Sequence, residues 1–123
     1  MKFAIQLLSQ YWYWVTAFIL SVITLLSLTP LPTLPEVPGS DKAHHLVAYA
    51  ALMFPAFMSK QKSKFVLMLV FALWSGAIEL IQPFVNRYGE WFDLAANISG
   101  LAIGAVLGWL FTKFYSATVT SVD

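Results

Sequence analysis

The sequence predicts an all-α membrane protein, a four-helix transmembrane bundle with both termini on the cytoplasmic side. Three observations carry this expectation. Of 123 residues, 59% are hydrophobic and only 11% are charged, whereas a soluble domain carries about 25% charged residues. Four long apolar stretches alternate with short polar or proline-rich connections, and mean hydropathy is +0.74. Lys2, the Lys60/Lys62/Lys64 group and Lys113 fall alternately with the stretches, so one topology puts all five on one side. Positive residues favour the cytoplasm. Residues 1–123 read as a single membrane domain.

The first span covers residues 11–28. Its length of about 18 residues exceeds a signal-peptide core, and it ends in Thr29-Pro30-Leu31-Pro32 with no small-x-small cleavage pattern. It is therefore read as a retained span. Residues 29–39 follow, with Pro30, Pro32, Pro35 and Pro38 favouring extended backbone. Ser40 or Asp41 then caps the second span, residues 41–58. That segment is short, and a re-entrant or interfacial helix is the alternative.

A basic turn from Lys60 to Lys64 leads into the third span, residues 65–85, and a polar loop at 86–91 leads into the fourth, residues 93–114. Asp93 sits where an acid complements a helix N-terminus. Pro55 and Pro83 each remove one helical hydrogen bond, so each marks a potential kink. Trp12, Trp14, Trp91 and Trp109 lie near span ends, as interfacial belts require. Gly100, Gly104 and Gly108 form a smooth stripe for close packing, inside the bundle or across a homodimer seam.

Polar residues recur at one level. Asp41, His45 and Tyr49 share a stripe at i, i+4 and i+8. His45 and Tyr49 lie about 6 and 12 Å below the span's start at 1.5 Å per residue. Glu79 lies about 9 Å from the end of its span, with Gln82 as an i+3 neighbour, and Asn97 about 6 Å below Asp93. Polar faces on three helices are satisfied only by turning inward, and the expected product is an outward-opening polar pocket. Simpler roles are open for several members. Asp41 and Asp93 serve as caps, Lys42 and Arg87 as snorkelling anchors, and Tyr49 and His44 as packing or interfacial groups. Glu79 is the hardest to dismiss, because an ionised acid in a span is costly unless protonated or paired with Arg87, Lys42 or His45.

These residues resemble the VanZ-like family of bacterial membrane proteins. The family pattern is an Asp-Lys-x-x-His-x-x-x-Tyr opening, then Glu-x-x-Gln, an Arg, and Asp-x-x-x-Asn-x-x-Gly. Here Asp41, Lys42, His45 and Tyr49 match the opening. Glu79, Gln82 and Arg87 follow, and Asp93, Asn97, Gly100 and Gly104 complete it. His44 lies outside the pattern, and the first span matches only as an apolar helix. The resemblance implies a multi-pass protein of the bacterial cytoplasmic membrane that influences glycopeptide (teicoplanin) susceptibility.

Three function classes stay open. In the first, Asp41, Lys42, His45, Tyr49, Glu79, Gln82, Arg87, Asp93 and Asn97 line a binding site for an envelope lipid or lipid-linked precursor. Lys42 and Arg87 would hold its anionic group. In the second, an enzyme acts on a phosphate-bearing envelope substrate, with His45, Glu79 and Asp41 as catalytic candidates. The third is a purely structural bundle. No metal or other cofactor is expected, since a single strong histidine is thin ground for one. The absence of cysteine rules out thiolate chemistry, and a net charge of +1 gives no reason to expect nucleic acid.

Overall fold

The computed structural model describes residues 2–30 and 41–120, with side chains through Tyr115. The expectations for Pro32, Pro35, Pro38 and a Ser40 cap lie outside the described residues. All regular structure among the described residues is helical: α1 (Lys2–Gln10), α2 (Trp12–Leu28), α3 (Asp41–Met58), α4 (Lys64–Ile81) and α5 (Trp91–Thr120). A 3-10 turn, Gln82–Val85, prolongs α4.

Two segments, Lys64–Val85 and Trp91–Tyr115, are each long and apolar enough to cross a membrane; α1 and α2, bent 72° at their junction, make a third if taken together. The helix α1 is an addition to the expected elements. Its nine residues bury nothing in the bundle, and Phe3 and Leu7 are exposed on it at i, i+4 spacing. The bend leaves α2 with 17 residues, about 25 Å of helix.

The helix α3 falls short of the same criterion because it opens with Asp41, Lys42, His44 and His45. Its position explains how that composition is tolerated. Tyr49, Leu52, Met53, Pro55, Ala56, Phe57 and Met58 are all buried, which makes α3 the central helix. The outer helices show the reverse pattern. Phe18 and Leu25 on α2, Val66, Leu69 and Leu73 on α4, and Val106 and Leu107 on α5 are exposed. Meanwhile Ser75, Glu79, Gln82, Asp93 and Asn97 are buried. An apolar exterior around an interior that holds buried polar groups belongs to a protein surrounded by lipid, since water would penalise such a continuous patch.

The glycine stripe sets the α3–α5 seam. A Cβ at Gly100, Gly104 or Gly108 would lie 2.4, 2.2 or 2.7 Å from the carbonyl oxygen of Leu46, Ala50 or Phe54. The three contacts advance by four residues on both helices, so the backbones run side by side in direct contact. Of the two uses open to the stripe, intramolecular packing is the one observed. Pro55 stays inside a continuous α3, whereas Pro83 sits in the 3-10 turn where α4 ends.

Candidate functional site

One end of the bundle collects the ionisable groups. Starting at Asp41, α3 displays Asp41 and His45 on one face with Lys42 beside them, and the first turn of α5 presents Asp93. Lys42 Nζ donates to Glu90 Oε2 at 2.5 Å and to Asp93 Oδ1, and lies 4.0 Å from Asp41 Oδ2. Its charge is therefore matched within the chain.

His45 stands between two acids. Its Nε2 is 3.7 Å from Asp41 Oδ2 and 3.6 Å from Asp93 Oδ2. The opposite nitrogen, Nδ1, is 2.9 Å from Asn97 Oδ1. Asn97 Nδ2 in turn donates to Ser75 Oγ at 2.7 Å, and Ser75 shares a hydrogen bond with the Tyr49 hydroxyl. A polar chain thus runs inward from Asp41 through His45, Asn97 and Ser75 to Tyr49, linking α3, α5 and α4. Because Ser75, Asn97 and Tyr49 are almost wholly buried, each bond holds its neighbour in one orientation.

Glu79 joins from α4 by another route. Its Oε2 accepts the Glu90 backbone N–H at 2.9 Å, while the buried Oε1 has no hydrogen-bond partner among the described residues. The loop after α4 makes this reach short. Pro83 is the second residue of the 3-10 turn, Asn86 takes a left-handed conformation at φ 58°, and its N–H returns to Gln82 O. The chain then folds back so closely that a Cβ on Gly89 would sit 2.3 Å from the Glu79 carbonyl oxygen. Gly89→Ala should therefore lower stability by about 1–3 kcal/mol, the usual range for forced overpacking. Thermal unfolding in detergent measures it.

Two expected members stand apart. Gln82 Nε2 donates to Ser27 O at 3.1 Å, turning toward α2. Arg87 Nη1 points to Thr29 O at 3.5 Å, and Arg87 makes no ion pair among the described residues. Its position marks a second feature. Thr29 ends a groove of about 580 Å³ between α2 and α4, lined by Leu20, Thr24, Leu28 and Trp74 among others. The indole N–H of Trp74 donates to Thr24 Oγ1 at 3.0 Å between two of its lining residues.

Sequence reasoning placed none of Ser75, Glu90 and Gly89 among the site residues. Ser75 was within reach, for Ser75, Glu79 and Gln82 form an i, i+4, i+7 series in an apolar span. Glu90 is a junction that spacing does not reveal. Its carboxylate holds Lys42, its N–H holds Glu79, and its carbonyl accepts the N–H of Asp93 at 3.0 Å at the start of α5.

Comparison with known proteins agrees with the residue pattern. The family model described as VanZ/LLP1 matches residues 3–112. No curated protein and no solved structure matches the chain. With that match extending from α1 through most of α5, this chain belongs to the VanZ/LLP1 family.

Proposed function

We propose that this VanZ-like protein is a four-span protein of the bacterial cytoplasmic membrane that binds a phosphate-bearing envelope lipid, including lipid-linked precursors, at the end carrying Asp41 and Arg87. In this reading α2 to α5 cross the bilayer and α1 lies along the inner interface. The lysines orient it. Thr112 Oγ1 approaches Met58 O, and Lys64 Nζ reaches Phe57 O, so the basic turn and the end of α5 share one face. That face would be cytoplasmic and the polar end external.

One observation supports lipid over a soluble ligand. Arg87, unpaired among the described residues, stands where an apolar groove meets the polar end. An acyl chain along Leu20, Thr24 and Trp74 would bring a phosphate to the guanidinium, which binds such groups in a bidentate manner. Lys42, saturated by Glu90 and Asp93, would shape the site and leave anion binding to Arg87. Sequestering a precursor lipid would alter access of glycopeptides such as teicoplanin to their target.

Lipid retained by the purified protein, measured by native mass spectrometry, tests this. Arg87→Ala should weaken anionic-lipid binding by about 10- to 100-fold, the equivalent of about 1.5–3 kcal/mol for a hydrogen bond to a charged group. Zwitterionic lipid should change little. Equal retention of anionic lipid by both proteins would contradict the reading. A catalytic role has one favourable feature, the imidazole of His45 flanked by two carboxylates. Turnover of a lipid-linked phosphate substrate that vanishes in His45→Gln would establish it.

A further inference from the structure

We propose that Asp41, His45 and Asp93 form a binding site for one divalent transition-metal cation. On spacing alone a single strong histidine is thin ground for a metal, because spacing cannot show that Asp93 of α5 meets an i, i+4 Asp–His pair on α3. In three dimensions the donor atoms of all three residues lie within 4.8 Å of one another. His45 Nε2 is 3.7 Å from Asp41 Oδ2 and 3.6 Å from Asp93 Oδ2. Ligands about 2.0–2.2 Å from a cation stand about 3.0–3.5 Å apart at tetrahedral or octahedral angles. The two imidazole-to-carboxylate separations lie within a few tenths of an ångström of that range, and the carboxylate-to-carboxylate separation is held below 4.8 Å.

The surroundings orient the imidazole for ligation. Asn97 Nδ2 donates to Ser75 Oγ, so Asn97 Oδ1 is the atom that faces His45 Nδ1. An acceptor there places the proton on Nδ1 and leaves Nε2 with a lone pair, the arrangement that orients metal-binding histidines. Two carboxylate oxygens then converge on that lone pair, too far away for hydrogen bonds. Acceptors facing acceptors repel unless a metal cation, or a second proton on the imidazole, lies between them.

Charge gives a second, independent argument. Asp41, Glu90 and Asp93 carry three negative charges against the one positive charge of Lys42. With neutral His45 the group holds a net charge of −2, costly beside a bilayer and matched by one dication. Glu79 adds a buried carboxylate within electrostatic reach of His45, Lys42 and Asp93, with Oε1 unpartnered. Lys42 does not block the position, since it engages Asp93 Oδ1 while Oδ2 faces His45. The Asp41 side chain is 67% exposed, which leaves an entry path and open coordination positions for water or another oxygen ligand. One imidazole and two carboxylates suit Mn2+, Fe2+ or Zn2+ better than Ca2+.

This inference goes beyond the lipid reading and does not depend on it. The test uses full-length protein without a histidine tag, stripped with EDTA in a phosphate-free detergent and titrated with MnCl2 and then ZnCl2. Electron paramagnetic resonance should count one bound Mn2+ per chain, with nitrogen coupling from the imidazole, and Zn2+ should displace it. Asp41→Asn, at an exposed side chain, should leave the metal-free protein folded and weaken binding by about tenfold or more. His45→Gln should abolish the nitrogen coupling. The proposal is overturned if the folded protein binds no Mn2+ at millimolar concentration. It is equally overturned if Asp41→Asn and His45→Gln bind as the parent does.

Discussion

Gly104→Ala is expected to lower the unfolding temperature sharply while the neighbouring control Gly76→Ala raises it slightly. The added methyl at Gly104 would lie 2.2 Å from the Ala50 carbonyl oxygen and 2.9 Å from Ala50 Cα, where ordinary contact begins at 3.4 Å. Both obstacles are backbone, so no rotamer change relieves them. The helices must separate by about 1 Å, and the contacts at Gly100 and Gly108 loosen with them. Overpacking costs about 1–3 kcal/mol for a single site. Alanine's better helix propensity returns about 1 kcal/mol, so packing wins when several contacts shift together. At Gly76 a Cβ meets nothing within 4 Å, and propensity alone acts, worth about 0.5–1 kcal/mol in favour of alanine. Thermal unfolding in detergent checks both signs. A change in oligomeric mass at unaltered unfolding temperature would instead reveal a seam between copies.

The second large effect is expected at Asn97. In Asn97→Leu, the branched heavy-atom framework is kept but both polar functions are lost. His45 Nδ1 and Ser75 Oγ each lose a partner in the interior, at about 1–3 kcal/mol for every buried group left unsatisfied. Ser75 retains Tyr49, so the heavier loss falls on His45. Combining Asn97→Leu with Ser75→Ala should cost less than the sum of the single changes, because the second removes a group that the first has orphaned. Unfolding temperatures of the four proteins provide the cycle, and strict additivity would show that the two side chains do not cooperate.

Much of this arrangement was legible in the sequence because helical period and burial cost agree. Asp41 with His45, and Asp93 with Asn97, are i, i+4 pairs, and polar faces in apolar helices must meet. The inference fails where the helix does. Glu79 and Gln82 are three residues apart, so they differ by about 60° around the axis. That angle suffices to send Gln82 to Ser27 of α2 while Glu79 meets the returning loop. Arg87 follows a 3-10 turn and a left-handed Asn86, after which periodicity predicts no direction. Helix α1 was missed because nine residues of mixed polarity carry too little pattern. Mean hydropathy alone passes over α3, whose opening Asp41, Lys42, His44 and His45 lower the average, because a central helix is shielded by its neighbours and needs no apolar outer face.

The central claim is that Lys42 of α3 and Asp93 of α5 meet inside one charged cluster, and a double-mutant cycle on that pair tests it most directly. Lys42→Met leaves the Asp93 and Glu90 carboxylates facing each other without a cation, and Asp93→Asn removes one of those charges. If the contact exists, the double variant unfolds at a higher temperature than Lys42→Met alone, since an uncompensated charge costs more than a missing pair. A double variant whose unfolding temperature falls by the sum of the two single losses would contradict the account.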